Sequence, residues 1–266
     1  MALRITTWNI NSVRLRIDNV ARLTKEMRPD VLCLQEIKVQ ELDFPMKAVK
    51  NLGYDHVAVV GQKGYHGVAI LSRVPFEASE RLNWCSKEDA RHVRVRLASG
   101  IDLHNFYVPA GGDIPDPQEN EKFAHKLDFL DAMAKHFRSA KRKGAKSTIL
   151  VGDLNVAPLE HDVWSHKQLL KVVSHTPVEV EKFGKLQTSL DWVDVMRNFV
   201  PPEDKLFTWW SYRAKDWEVS DRGRRLDHVW ATPDLAPKFK KLEILKAARG
   251  WDKASDHVPV TVTLDI

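Results

Sequence analysis

The amino-acid sequence predicts an α/β protein in which two packed β-sheets are flanked by helices, with a site at one edge of the sandwich. Three observations point there. Strand-length apolar or alternating runs recur along the chain, stretches between them carry apolar residues at helical spacing, and several runs end abruptly in a polar or acidic residue. The segment "GDLNVAP" (Gly152 to Pro158) shows the last feature best: an apolar run stops at Asp153 and Asn155, two residues apart. Alternate strand positions share a face, so this spacing sets a carboxylate and a carboxamide on the same side.

Taken in order, "LRITTWN" alternates as a strand, and Ser12 is placed to cap a helix carrying Val13, Ile17, Val20 and Ala21 on one face. "PDVLCLQE" is a short, nearly continuous apolar run of the kind covered on both faces, and it ends in Glu36. The runs "HVAVVG", "GVAILS", "HVRVRLA" and "IDLHNFYV", separated by turn signals such as "SRVP" and "ASG", suggest a largely antiparallel meander. "PDPQENEKFAHKLDFLDAMAKHF" places Phe123, Leu127, Leu130 and Met133 near helical spacing and leads into the strand "STILVGD". "LDHVWA", "KLEILKA" and "VPVTVTL" are the later strands. No linker or composition break interrupts the 266 residues, which favours a single domain over residues 1–266.

At 43% hydrophobic and 29% charged, the composition is that of an ordinary globular chain, not a disordered or fibrous one. Two cysteines, Cys33 and Cys85, are too few for a disulfide framework and lack metal-ligand spacing, which favours a reducing compartment. No apolar run approaches a membrane span and no leader pattern opens the chain, so the sequence reads as a cytoplasmic protein without a membrane partner. A net charge of +5 suits a polyanionic partner, but only weakly. The densest basic run, "KHFRSAKRKGAK", falls at the end of the expected helix, where cations also complement the helix dipole.

Strand ends and adjoining loops gather the polar candidates Asn9, Glu36, Tyr107, Asp153, Asn155, Asp256 and His257. Hard cations such as Mg²⁺ take oxygen ligands, often one or two carboxylates completed by water and substrate phosphate, and Glu36 and Asp256 suit that role. A nearby aspartate can accept a proton from water, while an imidazolium, amide or phenol can stabilise a phosphoryl oxygen. Taken singly, each has a plainer account. Asp153 and Asn155 also suit a turn, Glu36 a surface pair with Lys38, His257 a satisfied buried ring, Tyr107 a core aromatic, and Asp227 a partner of Arg225.

The motifs "TTWNINSVR", "LCLQEIK", "KGYHGVAILS", "NFYVPAGG", "VGDLNVAP", "FTWWSYR", "RRLDHVWA" and "ASDHVPV" occur in the order found in exonuclease III-type apurinic/apyrimidinic endonucleases, which the chain resembles from Ala2 nearly to its C-terminus. A smaller part of the set is shared by the wider superfamily that includes deoxyribonuclease I, inositol polyphosphate phosphatases and sphingomyelinases. The resemblance implies a four-layered α/β sandwich of two mixed sheets flanked by helices. It also implies a monomer that uses Mg²⁺, with Mn²⁺ able to substitute, to hydrolyse DNA phosphodiesters 5′ to abasic sites and at 3′ ends. By motif, Glu36 is the main metal ligand, with Asn9 and Asp256 around the metal and Asp153, Asn155 and His257 bordering it. Asp153 orients or deprotonates water, Asn155 holds a phosphate oxygen, His257 contacts the scissile phosphate with Asp227 fixing its ring, and Tyr107 supports the same charge.

The same resemblance puts the region of Trp210 beside a baseless sugar or the minor groove, while Arg213, Arg222 and Arg224 suit a grip on the DNA backbone and equally a solvated surface. At least one of Trp209 and Trp210 is expected in the core. A metal-dependent phosphatase or phosphodiesterase acting on a non-DNA phosphate ester is the alternative within the enzyme class. One position departs from the pattern: Ala110 in "YVPAGG" stands where many relatives carry Asn or Gln, so a side-chain amide for DNA contact is missing.

Overall fold

The computed structural model describes residues 2–85 and 87–266. In chain order its first half contains β1 (Ala2–Asn9), α1 (Ile17–Met27), β2 (Val31–Gln35), α2 (Met46–Asn51), β3 (His56–Val60), β4 (Val68–Ser72), β5 (Phe76–Glu80), β6 (His92–Leu97) and β7 (Asp102–Tyr107). There follow α3 (Glu121–Arg142), β8 (Thr148–Asp153), α4 (His166–Leu169), α5 (Pro177–Thr188), β9 (Val193–Asp194), α6 (Val195–Phe199), β10 (Trp209–Trp210) and α7 (Trp217–Ser220). The chain closes with β11 (Gly223–Arg224), β12 (Asp227–Ala231), β13 (Phe239–Ile244) and β14 (Val260–Asp265).

Two six-stranded sheets result, ordered β13-β14-β1-β2-β4-β3 and β5-β6-β7-β8-β12-β9. Side-chain alternation then sets the layers. Val31 and Cys33 of β2 meet Ile149 and Val151 of β8 in the core between the sheets. Leu32 and Leu34 face the other way, against Val20 and Leu23 of α1. Leu150 packs under Phe129 and Met133 of α3 and Phe183 of α5. Helix, sheet, sheet and helix therefore stack as four layers, the architecture expected from the sequence. No helix among the described residues is long and apolar enough to cross a membrane.

Each sheet is antiparallel except for one parallel pair, β1 with β2 and β7 with β8. A parallel neighbour requires a crossover, supplied by α1 in one sheet and α3 in the other. Both parallel pairs release their carboxyl ends as Asn9 and Glu36, and as Tyr107 and Asp153. The antiparallel neighbours β14 and β12 begin at the same levels, which brings His257 and Asp227 in from the opposite chain direction.

Two local expectations are corrected, and one helix was missed. Ser12 does not cap a helix: it lies at φ 86°, and α1 starts at Ile17 after Arg16, without a side-chain cap. The amides of Ser12 and Val13 instead donate to the carbonyls of Glu36 and Ile37, so the chain continues beside the exit of β2 and cannot yet coil. The expected meander is two separate pieces, β3-β4 in one sheet and β5-β6-β7 in the other, divided at the "SRVP" turn. Its first strand in the second sheet, β5, is a mostly exposed edge and carried no apolar signal. The sequence reading also passed over α5, although Thr176, Pro177 and Glu179 form a capping box with proline in the first turn.

Several imidazoles are sealed into these layers. His92 Nε2 and His104 Nδ1 lie 3.0 Å apart between aromatic rings, and His228 Nε2 donates to the Val156 carbonyl over 2.8 Å. Burial pushes His92 and His228 down to about 3, and His104 well below the usual imidazole range. Groups whose folded pKa is depressed are neutral in the native state but take up protons once unfolded below pH ~6.5. Asp153, raised by burial to about 7, opposes them with one proton. Stability should therefore fall as pH drops from 7 toward 4, by about 1.4 kcal/mol per pH unit for each net proton taken up. Urea unfolding at stepped pH should show this acid loss; a midpoint unchanged between pH 7 and 5 would contradict the buried neutral state.

Candidate active site

The end of β8 is shaped by Gly152. Its φ is 139°, and a Cβ there would stand 2.0 Å from the carbonyl oxygen of Phe106, its register partner in β7. Glycine lets the two parallel strands close up just where Asp153 leaves the ladder. Asp153 is 1% exposed. Its Oδ1 accepts the Asn155 amide over 3.0 Å, and its Oδ2 accepts Asn9 Nδ2 over 2.9 Å. Asn9 Nδ2 also donates to Glu36 Oε1 at 2.9 Å, so one carboxamide joins the carboxylates of the two sheets.

His257 completes the row. Its Nδ1 donates to Asp227 Oδ2 over 2.8 Å, while Nε2 stands 3.6 Å from Asp153 Oδ2. Burial alone would lower this imidazole, but Asp227 and then Asp153 outweigh it and raise it to about 10. The ring is accordingly an imidazolium. Burial acts first to raise Glu36, yet Lys38 at 2.9 Å, the Asn9 hydrogen bond and His257 bring its net shift below the ordinary carboxylate range. Tyr107 is pushed well up by burial, then by Glu36 and Asp153, so its phenol keeps its proton.

The cleft above these groups has a volume of about 630 Å³, and its lining includes Glu36, Tyr107, Asp153, Asn155, Asp256 and His257. Asn9 and Asp227 bond to residues of that lining from beneath. Asp256 sits beside them, accepting from Asn11 Nδ2 (3.2 Å) and Trp209 Nε1 (2.9 Å). Asn155 donates through Nδ2 to the Val108 carbonyl at 2.9 Å, which leaves its second amide hydrogen uncommitted by that bond.

Trp209, Trp210, Arg213, Arg222 and Arg224 line the same cleft. The tryptophans divide as expected. Trp210 is 2% exposed, packed with Phe207 and Val258 and bonded through Nε1 to Asp221, whereas Trp209 is half-buried beneath the Arg224 guanidinium. Arg222 lies over Trp164 at 4.7 Å. Among the described residues, the group of acids and imidazoles close enough to share a metal is Asp153, Asp227 and His257. That trio is already joined by ion pairing, and an imidazolium has no free lone pair to give.

A match of residues 6–257 to the model of the Endonuclease/Exonuclease/phosphatase family settles the wider context. The chain belongs to the endonuclease/exonuclease/phosphatase family. Within that family it is 29% identical to exodeoxyribonuclease III of Haemophilus influenzae, over 97% of this chain and 98% of the relative. An AP endonuclease from Archaeoglobus fulgidus superimposes with a TM-score of 0.89 at 34% identity, covering 99% of this chain and 100% of that one. The 3′ phosphatase NExo from Neisseria, solved with a product DNA hairpin, gives a TM-score of 0.90 at 29% identity over 99% and 100%. Family membership and the two six-stranded mixed sheets agree with the exonuclease III-type resemblance.

The sequence reading did not single out Lys126, Asn11 or Arg91 as site residues. Lys126 lies unexposed behind Asn155, and its signal was a lysine on the apolar face of α3 between Phe123 and Leu130. Asn11 links Lys38 to Asp256, and Arg91 stacks over the Tyr107 ring at 4.9 Å; neither has a periodic signature.

The Gly152 contact yields a direct test. Gly152→Ala should destabilise the fold by about 3 kcal/mol, the scale of strained backbone, or roughly 6–12 °C in Tm for a chain of this size. Calorimetry of the variant checks it, and an unshifted melting point would mean that β7 and β8 are not so closely apposed.

Proposed function

We propose that the protein is a divalent-cation-dependent DNA repair nuclease that hydrolyses phosphodiesters 5′ to abasic sites and removes nucleotides or blocking groups from 3′ ends. The observation that carries this reading is the continuous row Glu36, Asn9, Asp153, His257 and Asp227. It sets a charged oxygen ligand, a candidate base and an imidazolium side by side under a cleft lined with arginine and tryptophan. The names of the relatives support the substrate class, in particular an exodeoxyribonuclease, an AP endonuclease and a 3′ phosphatase seen with DNA.

The donor set fits a hard cation. Glu36 and Asp256 present carboxylate oxygens to the cleft, Glu36 keeps its charge despite burial, and an ammonium, Lys38, already rests against it. Glu36 and Asp256, with Asn9 beside them, would hold Mg²⁺ or Mn²⁺, and the bound ion would supply positive charge to the phosphate and the leaving oxygen. Asp153, anchored at both oxygens and raised to about 7, orients water and accepts its proton. His257, fixed by Asp227, and the Tyr107 phenol face the charge that grows on the phosphoryl oxygens, and the free amide hydrogen of Asn155 adds a third donor. His257 suits that phosphate role better than metal ligation. Attack on phosphorus with loss of the 3′ oxygen leaves a 3′-hydroxyl and a 5′-deoxyribose phosphate.

Extruding an abasic sugar costs less than flipping an intact nucleotide, because no base remains to unpair or unstack. Trp209 and Trp210 supply an apolar wall for it, and Arg213, Arg222 and Arg224 supply charge for the backbone. This lining favours DNA over a small or lipid phosphate ester. A lyase route needs a neutral amine, whereas Lys38 is committed to Glu36 and to Asn11 Oδ1.

An abasic duplex, an intact duplex and an inositol phosphate, each incubated with and without EDTA, separate the readings. The abasic strand should be cut to a 3′-hydroxyl only when metal is present; a borohydride-trapped adduct, or preference for the inositol phosphate, would overturn the proposal. Glu36→Gln should fold normally and lose roughly tenfold to a hundredfold in activity at limiting Mg²⁺, with partial recovery in excess metal. Wild-type rates across the whole Mg²⁺ titration would remove Glu36 from the ligand set.

A further inference from the structure

Lys126 occupies a position on α3 where its neighbours Phe123, Phe129 and Leu130 are apolar and buried, yet it is itself unexposed. Its ammonium pairs with Glu179, which is equally buried, and donates to the Asn155 carbonyl at 2.7 Å and the Ala110 carbonyl at 3.2 Å. Three donors meet three acceptors. The aliphatic stem is packed as closely: a Cβ on Gly111 would stand 2.9 Å from Lys126 Cδ.

Glu179 carries the connection onward. As the third residue of α5, it accepts the Ser174 amide at 2.9 Å through each oxygen, and the Thr176 hydroxyl at 2.7 Å. Arg224 Nη1 then donates to Ser174 Oγ (2.8 Å) and to the Val173 carbonyl (2.9 Å), while its guanidinium covers Trp209. The Ser174 carbonyl accepts the Ala157 amide at 2.7 Å. One buried ion pair thus joins the loop after Tyr107, the loop after Asp153 and the segment that anchors a cleft arginine.

A buried ion pair is poor evidence of stabilisation, since apolar replacements of similar volume are often neutral or better. Its value here lies in what it orients. Asn155 adopts a left-handed backbone, φ 54°, which an asparagine tolerates but does not prefer. A hydrogen bond to its carbonyl from a rigidly held ammonium fixes that conformation, and with it the carboxamide in the cleft wall. We infer that Lys126, locked by Glu179, is a positioning residue that sets Asn155 for the reaction and couples it to Arg224. The inference rests on the phosphate-holding role proposed for Asn155.

The test is a double-mutant cycle on an abasic duplex, with Tm, KM and kcat measured for each variant. Lys126→Met/Glu179→Gln removes both charges and leaves no unpaired ion. It should lower kcat by ~10-fold or more, a scale expected for a misplaced reacting group, with a smaller change in KM. On an Asn155→Ala background the same pair should cost little more, because the group it positions is gone. If the charge-neutral pair does not fold, Glu179→Gln alone, which keeps the lysine donors, serves in its place and should show the same non-additivity with a smaller loss. Full additivity of either variant with Asn155→Ala, or an unchanged kcat in the folded pair, would overturn the positioning role. An Asn155→Ala enzyme with wild-type kcat would instead remove the role proposed for Asn155 itself.

Discussion

Four carboxylates, Glu36, Asp153, Asp227 and Asp256, converge on one edge of this sandwich, and their repulsion is the constraint that the surrounding structure answers. Two such charges 4 Å apart at an effective dielectric near 20 repel by about 4 kcal/mol, a large share of the net stability of a domain. The answer is distributed. Asn9 donates to two of the acids, Lys38 neutralises Glu36, His257 takes up a proton between Asp227 and Asp153, and Trp209 with Asn11 serves Asp256. Asp153, buried among these like charges, is raised to about 7. The same arrangement that tames the repulsion leaves Asp153, His257 and Glu36 unequal in charge, and the proposed phosphoryl chemistry would use that inequality.

The convergence follows from the topology. Each sheet has one parallel pair, and parallel strands deliver their carboxyl ends to one side. Beyond those ends the backbone turns through left-handed conformations at Glu36 (φ 48°) and Asn155 (φ 54°). Non-glycine residues adopt that region at a cost of about 1–2 kcal/mol, so something outside the strand must hold each one. At Glu36 the neighbouring amides of Ile37 and Lys38 donate to the carbonyls of Gly67 and His66. At Asn155 the holder is Lys126. Beneath both exits, Gln35 Nε2 donates to Asn105 Oδ1 at 2.7 Å, a polar staple between the sheets that fixes their separation where the site needs it.

These causes explain what the sequence could reveal. A strand that stops in an acid is visible in the letters, because burial and period 2 impose a pattern that the acid breaks; hence Glu36 and the Asp153/Asn155 pair stood out. The distribution of strands between sheets was not visible. "HVAVVG" and "HVRVRLA" look alike, and what separates them is a turn at Arg73 to Pro75 whose direction depends on tertiary packing. Ser12 has the letter of a helix cap, but the carbonyl of Glu36, distant in sequence, claims its amide first. Lys126 was hidden for the opposite reason: a lysine in a helix is ordinarily solvated, and its burial depends on Glu179, brought close only by the packing of α5 on α3.

Ala110 can now be judged by geometry. The residue lines the cleft and is exposed, so an amide at this position, as the exonuclease III-type resemblance implies, would project into the cleft. The backbone beneath is unaffected by the difference, because Lys126 holds the Ala110 carbonyl and packs under Gly111. Tyr107, three residues earlier, is fixed separately by Arg91, which stacks on its ring and donates to its carbonyl. The departure therefore leaves the phenol and the row from Glu36 to Asp227 in place, and on the proposed reading it removes only a point of contact. On the proposed reading, grip on that stretch of DNA would fall to the arginines and tryptophans of the facing segments, and the anchoring of one of them, Arg224, through Ser174 leads back to the same buried ion pair.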